Sequence, residues 1–445
     1  MKSGVLVCSL ALILSGFDAA AQHAHQSSAK ADTLYLSLND VWEKTNVESK
    51  EVQIQNTESL IQSQNVLDAK AERFPTLSVF ASVDKASNMP IYSNGIFNKP
   101  EQHDVIHTLY NSGASMYFNL YDGNKQNLKI QEAKILDKRA SIAKEQKQSE
   151  MRYKAAQLFL ELQKSMIFKD VIINDIADQE KQLHEVQQYY KNGVILKSDV
   201  LRIELELSKR KMSLVQIEND ILITNQQLSF YLGIHENSIV IPKTDDLSEN
   251  KVESYEEALH VALKNAFKQQ ISEQNVSLTE IEVKKVKANV RPSLGVTGSF
   301  TFANPQIFLY PYNDSWYTLG IIGLKASFPI SSLYHNTHKL KKAKLELEKE
   351  EIVHHHITDQ IKQEVKEAYL RYEEALIQID VNEKNKQFAK ENARIIKNTY
   401  FNKTALVTDL LDADIQVLRT QFELEASKIN AQNKYYLLQL AKGIL

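Results

Sequence analysis

The chain has 445 residues, of which 24% are charged, and its 53 basic side chains nearly balance 56 acidic ones. That balance argues against a nucleic-acid partner, which needs a concentrated basic face. With Gly 12 and Pro 8 in the whole chain, the composition points away from a loop-rich α/β enzyme and toward long helices with few turns.

In chain order, Lys2, the apolar run Val5 to Leu14 and the small residues Ala19-Ala20-Ala21 read as a secretory signal over residues 1–21, cleaved before Gln22. The run is shorter than the roughly 20 apolar residues a membrane helix needs. The single cysteine, Cys8, lies inside it without the small preceding residue that lipoprotein processing prefers. The mature chain is therefore expected to have no disulfide, no thiolate metal site and no lipid anchor. Residues 22–36 read as a linker, whose His23 and His25 support no metal site. No later stretch is long and apolar enough to be a membrane helix, so any crossing must use strands.

The rest is written twice. A 210-residue step separates Tyr190 from Tyr400, Asp199 from Asp409, Phe118 from Phe328 and Gly233 from Gly443. Pro75 and Pro292 differ by 217, so seven extra residues fall between the matched motifs of the first copy, where a strand-joining loop absorbs them. The copies run over residues 37–235 and 254–445, joined by a linker at 236–253. Each opens with a helix, about Leu38 to Arg73 and about Tyr255 to Val290, stopped by its proline. Strand pairs follow, about Thr76 to Ala86 with His107 to Tyr121, and Ser293 to Ala303 with Ser315 to Phe328. Leu77, Val79, Ala81 and Val83 face one way, against Ser78, Ser82 and Asp84. Trp316, Ile322, Leu324, Ala326 and Phe328 oppose Lys325 and Ser327, a pattern blurred by Leu319 and Ile321. An ordinary hairpin with one buried face fits the same alternation. The aromatics Tyr110, Tyr117, Phe118, Tyr121, Phe300, Phe302, Trp316, Tyr317 and Phe328 fit girdles at the edges of a lipid band, though a plain core sheet uses aromatics too. The loop Asn304 to Asp314, with Phe308, Tyr310, Pro311 and Tyr312, then lies on the far side of that band.

Very long helices come next, about Asp122 to Tyr190 and about Ser332 to Tyr400. Leu333, Leu340, Leu347, Ile361, Ala368 and Ala375 share a seven-residue frame, the mark of coiled-coil packing. About 70 helical residues span roughly 100 Å. Turns at Asn192-Gly193 and Asn402-Lys403 send the chain back as helices to Leu232 and Leu440. His354-His355-His356 cannot converge on one ion, because consecutive helical residues point about 100° apart; His354 instead continues the coiled-coil frame. There is no Gly-rich phosphate loop, no metal-spaced ligand set and no thiol nucleophile, so neither catalysis nor a cofactor is expected. Energy for any transport would come from a partner.

Four strands cannot close a barrel, and lipid does not tolerate open strand edges. Copies of the chain must pool strands: two copies give eight, whose interior fills with side chains, whereas three give twelve and leave a pore, and strand count alone also allows larger rings.

The junctions Arg73-Phe74-Pro75-Thr76-Leu77, Arg291-Pro292-Ser293-Leu294, Asn119-Leu120-Tyr121-Asp122-Gly123 and Phe328-Pro329-Ile330, with the tips Tyr190 to Leu201 and Tyr400 to Ala413, resemble the TolC outer-membrane efflux family over nearly the whole mature chain. The resemblance implies a mainly α fold with membrane β: a homotrimer whose twelve-stranded β-barrel is continued by a periplasmic α-helical barrel. It also implies docking to a periplasmic adaptor and an inner-membrane pump of RND or ABC type, in the outer membrane of a Gram-negative cell. By the same resemblance Asp409 and Asp412 match the acidic ring of the periplasmic entrance, Tyr400 its gate tyrosine, and Ser198 and Asp199 that tyrosine's partners. Ala405 stands where a gating arginine is usual, and Lys403 where a tip glycine is usual. A structural reading competes at the tip: Asp199 and Asp409 as helix N-caps. Two other roles share the pattern, the exit duct of a type I protein secretion system and a periplasmic coiled-coil scaffold with no pore.

Overall fold

A computed structural model describes residues 33–103, 105–243, 253–306, 313–402 and 404–445. The segment read as a signal, His23, His25, Lys403 and the loop residues Phe308 to Tyr312 lie outside the described residues.

Strand β1 (Thr33–Leu36) leads into α1 (Leu38–Glu48), which a reciprocal cap starts. The Asp40 N–H donates to the Ser37 hydroxyl at 3.3 Å, and the Ser37 N–H donates to the Asp40 carboxylate at 2.9 Å. Such caps are worth about 1 kcal/mol each. Helix α2 (Lys50–Ala71) follows, then β2 (Thr76–Lys85), the small hairpin β3 (Met89–Ile91) and β4 (Glu101–His103), and β5 (Thr108–Tyr121). The long α3 (Lys125–Lys191) and its return α4 (Lys197–Leu232) complete the first copy, and β6 (Ile239–Pro242) follows. The second copy repeats the plan: α5 (Tyr255–Asn265), α6 (Phe267–Ala288), β7 (Ser293–Asn304), β8 (Tyr317–Ser327), α7 (Ser332–Phe401) and α8 (Val407–Lys442). Ser254 and Glu257 rebuild the same reciprocal cap at 3.3 and 2.9 Å.

Three features depart from the sequence reading. The opening helix of each copy is broken in two, at Ser49 (φ −59, ψ 122) and Ala266 (φ −56, ψ 123). Both residues are small and buried. The C-terminal glycine of each return helix docks against the break: a Cβ on Gly233 would lie 2.8 Å from Glu48 Cβ, and one on Gly443 would lie 2.4 Å from the Asn265 carbonyl oxygen. Second, the two linkers contribute β1 and β6, which pair in parallel from Thr33↔Ile239 to Leu36↔Pro242 and pack, through Leu36 and Val240, on Phe159, Leu162 and Leu228. Third, the connection between β2 and β5, which takes up the first copy's extra residues, carries the β3–β4 hairpin.

We expect Gly443→Ala to destabilise far more than Gly193→Ala. Both glycines have φ of +71°, but nothing lies within 4 Å of the space a Gly193 side chain would fill. The second change pays only the left-handed penalty of about 1 kcal/mol; the first adds a clash with backbone. Thermal unfolding of the two variants checks the order.

The helices lie side by side. α3 packs between α2 and α6 near the sheet, through Val66 and Ala69 with Ile130 and Ala133 on one flank, and Leu128 with Ile281 and Ala288 on the other. Farther down it packs against α4 and α8, through Ile172, Ile176, Leu207, Leu418 and Phe422. Between these levels α5, α7 and α8 share a core of Ala258, Ala262, Val365, Tyr369 and Leu438. The seven-residue frame of α7 points inward at Ile361, Ala368 and Ala375, whereas Leu333 is exposed. His354 sits at this seam and bonds to the Ser272 hydroxyl at 3.1 Å.

The strands make one antiparallel sheet in the order β2-β5-β7-β8. Register assigns its two faces, because directly paired residues share a face. Leu77, Val79 and Val83 lie on the face of Tyr110, Ala114 and Met116, and of Phe300, Phe302, Ile322 and Leu324. The other face carries Ser78, Ser82, Asp84, Asn111, Ser115, Thr297, Ser299, Thr301 and Lys325. Leu319 and Ile321, which blurred the alternation, fall on this polar face. So do Tyr117 and Phe80, whose rings cover Gly295 and Gly113. On the apolar face, Trp316 stacks on Phe302 at 4.6 Å and lies 5.7 Å from Tyr110 at the loop end. Both faces are exposed: Val79 is 85% and Ile322 79% accessible. Among the described residues, the edges β2 and β8 each have a partner on one side only. The chain's surface is 29281 Å², against about 17,000 Å² for a compact monomer of its mass.

Candidate functional site

The end of the helices away from the sheet holds all five residues singled out there. α3 closes at Asn192 and Gly193, whose N–H donates to the Tyr190 carbonyl at 2.9 Å, and α7 closes at Asn402. The return helices start at Leu196 and Leu406. These leucines, 70% and 69% exposed, occupy positions that helices usually give to Ser, Thr, Asn or Asp. Asp199 and Asp409 are therefore not N-caps; they sit three residues inside. There the Asp409 carboxylate accepts the Leu406 N–H at 3.1 Å, and both acids complement the positive end of the helix dipole.

Val186, Val200, Ile203, Tyr400, Val407, Leu410 and Leu411 form the core of the tip, with Ala405 packed on it. Tyr400 is buried, and its hydroxyl has no hydrogen-bond partner among the described residues. Burial raises its phenol pKa, and the nearby Asp199 and Tyr189 push the same way. Asp199 is half-buried, whereas Ser198, Asp409 and Asp412 are exposed. The chain thus brings Tyr400 and Asp199 together. It sets Asp409 and Asp412, three residues apart, on one exposed side of α8, and leaves Ser198 bonded to neither Tyr400 nor Asp199.

A second polar group, with no signal in the sequence, lies about 24 Å up α3 from the tip turn. Arg210 of α4, 4% exposed, sets its Nε 3.0 Å from the Asp175 carboxylate of α3. Gln179 donates to Asp414 of α8 at 3.2 Å and to Gln182 at 3.2 Å. Burial raises Asp175 to about 6; Arg210 opposes the rise, and Asp414 and Asp178 add to it. The participants are far apart in sequence, and the equivalents of Asp175 and Arg210 in the second copy are Asn385 and Thr420, so neither a local motif nor the repeat could reveal them.

Among the described residues there is no group of three or more His, Cys, Asp or Glu that could hold a metal ion, and no helix is long and apolar enough to cross a membrane.

No protein-family model and no curated protein matches the sequence. Solved structures do match the fold. The outer membrane protein VceC from Vibrio cholerae aligns at 15% identity and a TM-score of 0.75, covering 91% of this chain and 96% of that one. The outer-membrane channel OprN aligns at 14% and 0.75, covering 91% and 89%. CusC, studied for transmembrane channel formation, aligns at 12% and 0.77, covering 92% and 93%. With about nine-tenths of each chain superposed, this protein has the fold of outer-membrane channels.

Proposed function

We propose that the chain is one protomer of a TolC-type channel in the outer membrane, a passive conduit for efflux from the periplasm. The observation that carries this reading is the sheet: four strands with one apolar and one polar face, both uncovered, and two open edges. Lipid requires every backbone group to be paired, so the edges must close on other copies. The strands alternate in direction, so β8 of one copy meets β2 of the next antiparallel. Three copies make a twelve-stranded barrel with the apolar face to lipid and the polar face to water. The flanking helices favour the same closure: Ile54 and Leu67 of α2, and Leu345 and Ile352 of α7, are all more than half exposed.

In this assembly Asp409 and Asp412 from three copies bring six carboxylates around the periplasmic entrance, where crowding attracts cations. Tyr400, with Asp199 beside it and Ser198 nearby, belongs to the contacts that hold the tip coils together. Ala405 offers no cation there, so the packed apolar core has the larger share in holding the tip. The exposed Leu196 and Leu406 give an adaptor apolar ground at the tip, and an inner-membrane pump of RND or ABC type supplies the energy. Opening is a shift in tip packing offset by adaptor contacts.

Conductance in planar bilayers tests the reading. The purified protein is expected to form pores, and Asp409→Asn with Asp412→Asn to weaken block by divalent and trivalent cations about tenfold or more. Unchanged block removes both residues from the entrance. Absence of pores, with the protein in the soluble fraction, favours the scaffold.

A further inference from the structure

We infer that the second copy's junction between helices and sheet carries a basic belt that binds anionic phospholipid headgroups of the periplasmic leaflet. The inference rests on the membrane reading above. Residues 283–291 and 332–345 contain eight Lys or Arg and no Asp or Glu, in a chain whose net charge is −3. The matching stretches of the first copy, 66–74 and 122–135, are mixed: five bases against Asp68, Glu72, Asp122 and Glu132. Helix pairing alone does not call for this segregation. Lys287, Lys341 and Lys344 are exposed and form no ion pair among the described residues, and Lys284 reaches only Glu280, at 3.8 Å.

Geometry sets the belt on the lipid side. The Ala86 N–H donates to the His107 carbonyl at 2.8 Å, so even-numbered residues of β2 turn their backbone groups toward β5. For L-residues that fixes which side of the row α2-α3-α6-α7 the apolar face occupies. On α6, Ile281 packs toward α3 and Val283 and Val286 toward α7. Lys284 and Lys287 then share the flank on the apolar side. On α7, Leu340, Ala343 and Leu347 pack toward α6, and Lys341 and Lys344 fall on that same flank. Lys287 is one residue from the end of α6, and five residues separate it from β7. Flexible lysines at this depth reach the headgroup layer with their stems along the apolar rim. A basic residue near an anionic surface contributes about 1 kcal/mol, roughly fivefold, and salt screens it.

The test compares the full-length wild type with a variant carrying Lys284→Gln, Lys287→Gln, Lys341→Gln and Lys344→Gln. Lys285 is kept because it bridges to Glu132, and Arg291 because it donates to the Gly123 carbonyl. Insertion is followed into phosphatidylcholine vesicles and into vesicles mixed with phosphatidylglycerol, at low and high salt. The wild type is expected to insert at least about tenfold faster into mixed vesicles at low salt, with the advantage gone at high salt and gone in the variant. A second variant with arginine at the four positions should keep the advantage, which separates charge from misfolding. An anionic preference that survives in the glutamine variant, or a wild type with none, overturns the belt. Failure of the wild type to insert into either vesicle would instead refute the membrane reading.

Discussion

Arginine at Ile322 is expected to abolish membrane assembly, and arginine at Ile321 to leave it intact. The two isoleucines are neighbours near the middle of β8, both well exposed in the single chain. They differ in face: Ile322 pairs with Gly298 on the apolar side, and Ile321 with Ser299 on the polar side. An arginine on the lipid face near the bilayer midplane costs about 2–4 kcal/mol, and a trimer incurs that cost three times. An arginine on the water-filled side costs little and changes the charge of the pore. Recovery of heat-modifiable oligomers from the membrane fraction reads the first effect, and ion selectivity reads the second. If both variants assemble alike, the sheet does not lie in lipid; if only the Ile321 variant fails, its faces are reversed.

That comparison also marks where the sequence was sufficient. Period-two alternation at Leu77, Val79 and Val83 needs only the strand itself, and it gave the face correctly. Leu319 and Ile321 broke the rule because they sit among the polar side chains of the other face, so the assignment had to await cross-strand pairing. The long helices were legible because a seven-residue frame repeats many times. The breaks at Ser49 and Ala266 were not, because neither involves proline or glycine. What packs against them is distant in sequence: Gly233 and Gly443 lie close to the two corners from the ends of the return helices. β1 and β6 are short and pair across about 200 residues, beyond any local pattern. At the tip the positions of Asp199 and Asp409 were readable, but their depth in the helix was not, because exposed leucines occupy the capping positions.

The buried group on α3, α4 and α8 leads to the other large effect. Asp175 faces Arg210 on α4 and Asp414 on α8, with Asp178 on its own helix. Burial raises the carboxyl, Arg210 opposes the rise, and Asp414 and Asp178 add to it. Its folded pKa of about 6 exceeds the unfolded value of about 3.9. The folded state therefore binds the extra proton between those values, and stability rises as pH falls from 7 through 6 toward 4. The full difference amounts to about 2–3 kcal/mol. Asparagine keeps the shape and removes the charge, so Asp175→Asn should raise protection at pH 7 and abolish this pH dependence. Amide hydrogen exchange in α3, α4 and α8 near Ile172, Leu207 and Phe422 reads it locally. Arg210→Met should act oppositely, leaving Asp175 without its cation; breaking a buried pair this way costs about 3–5 kcal/mol. Combined with Asp175→Asn, much of that loss should be recovered, since the carboxylate that Arg210 pairs with is then gone. If wild-type protection is the same at pH 7 and pH 5, Asp175 keeps its charge throughout, and Arg210 outweighs burial at this level of the coil.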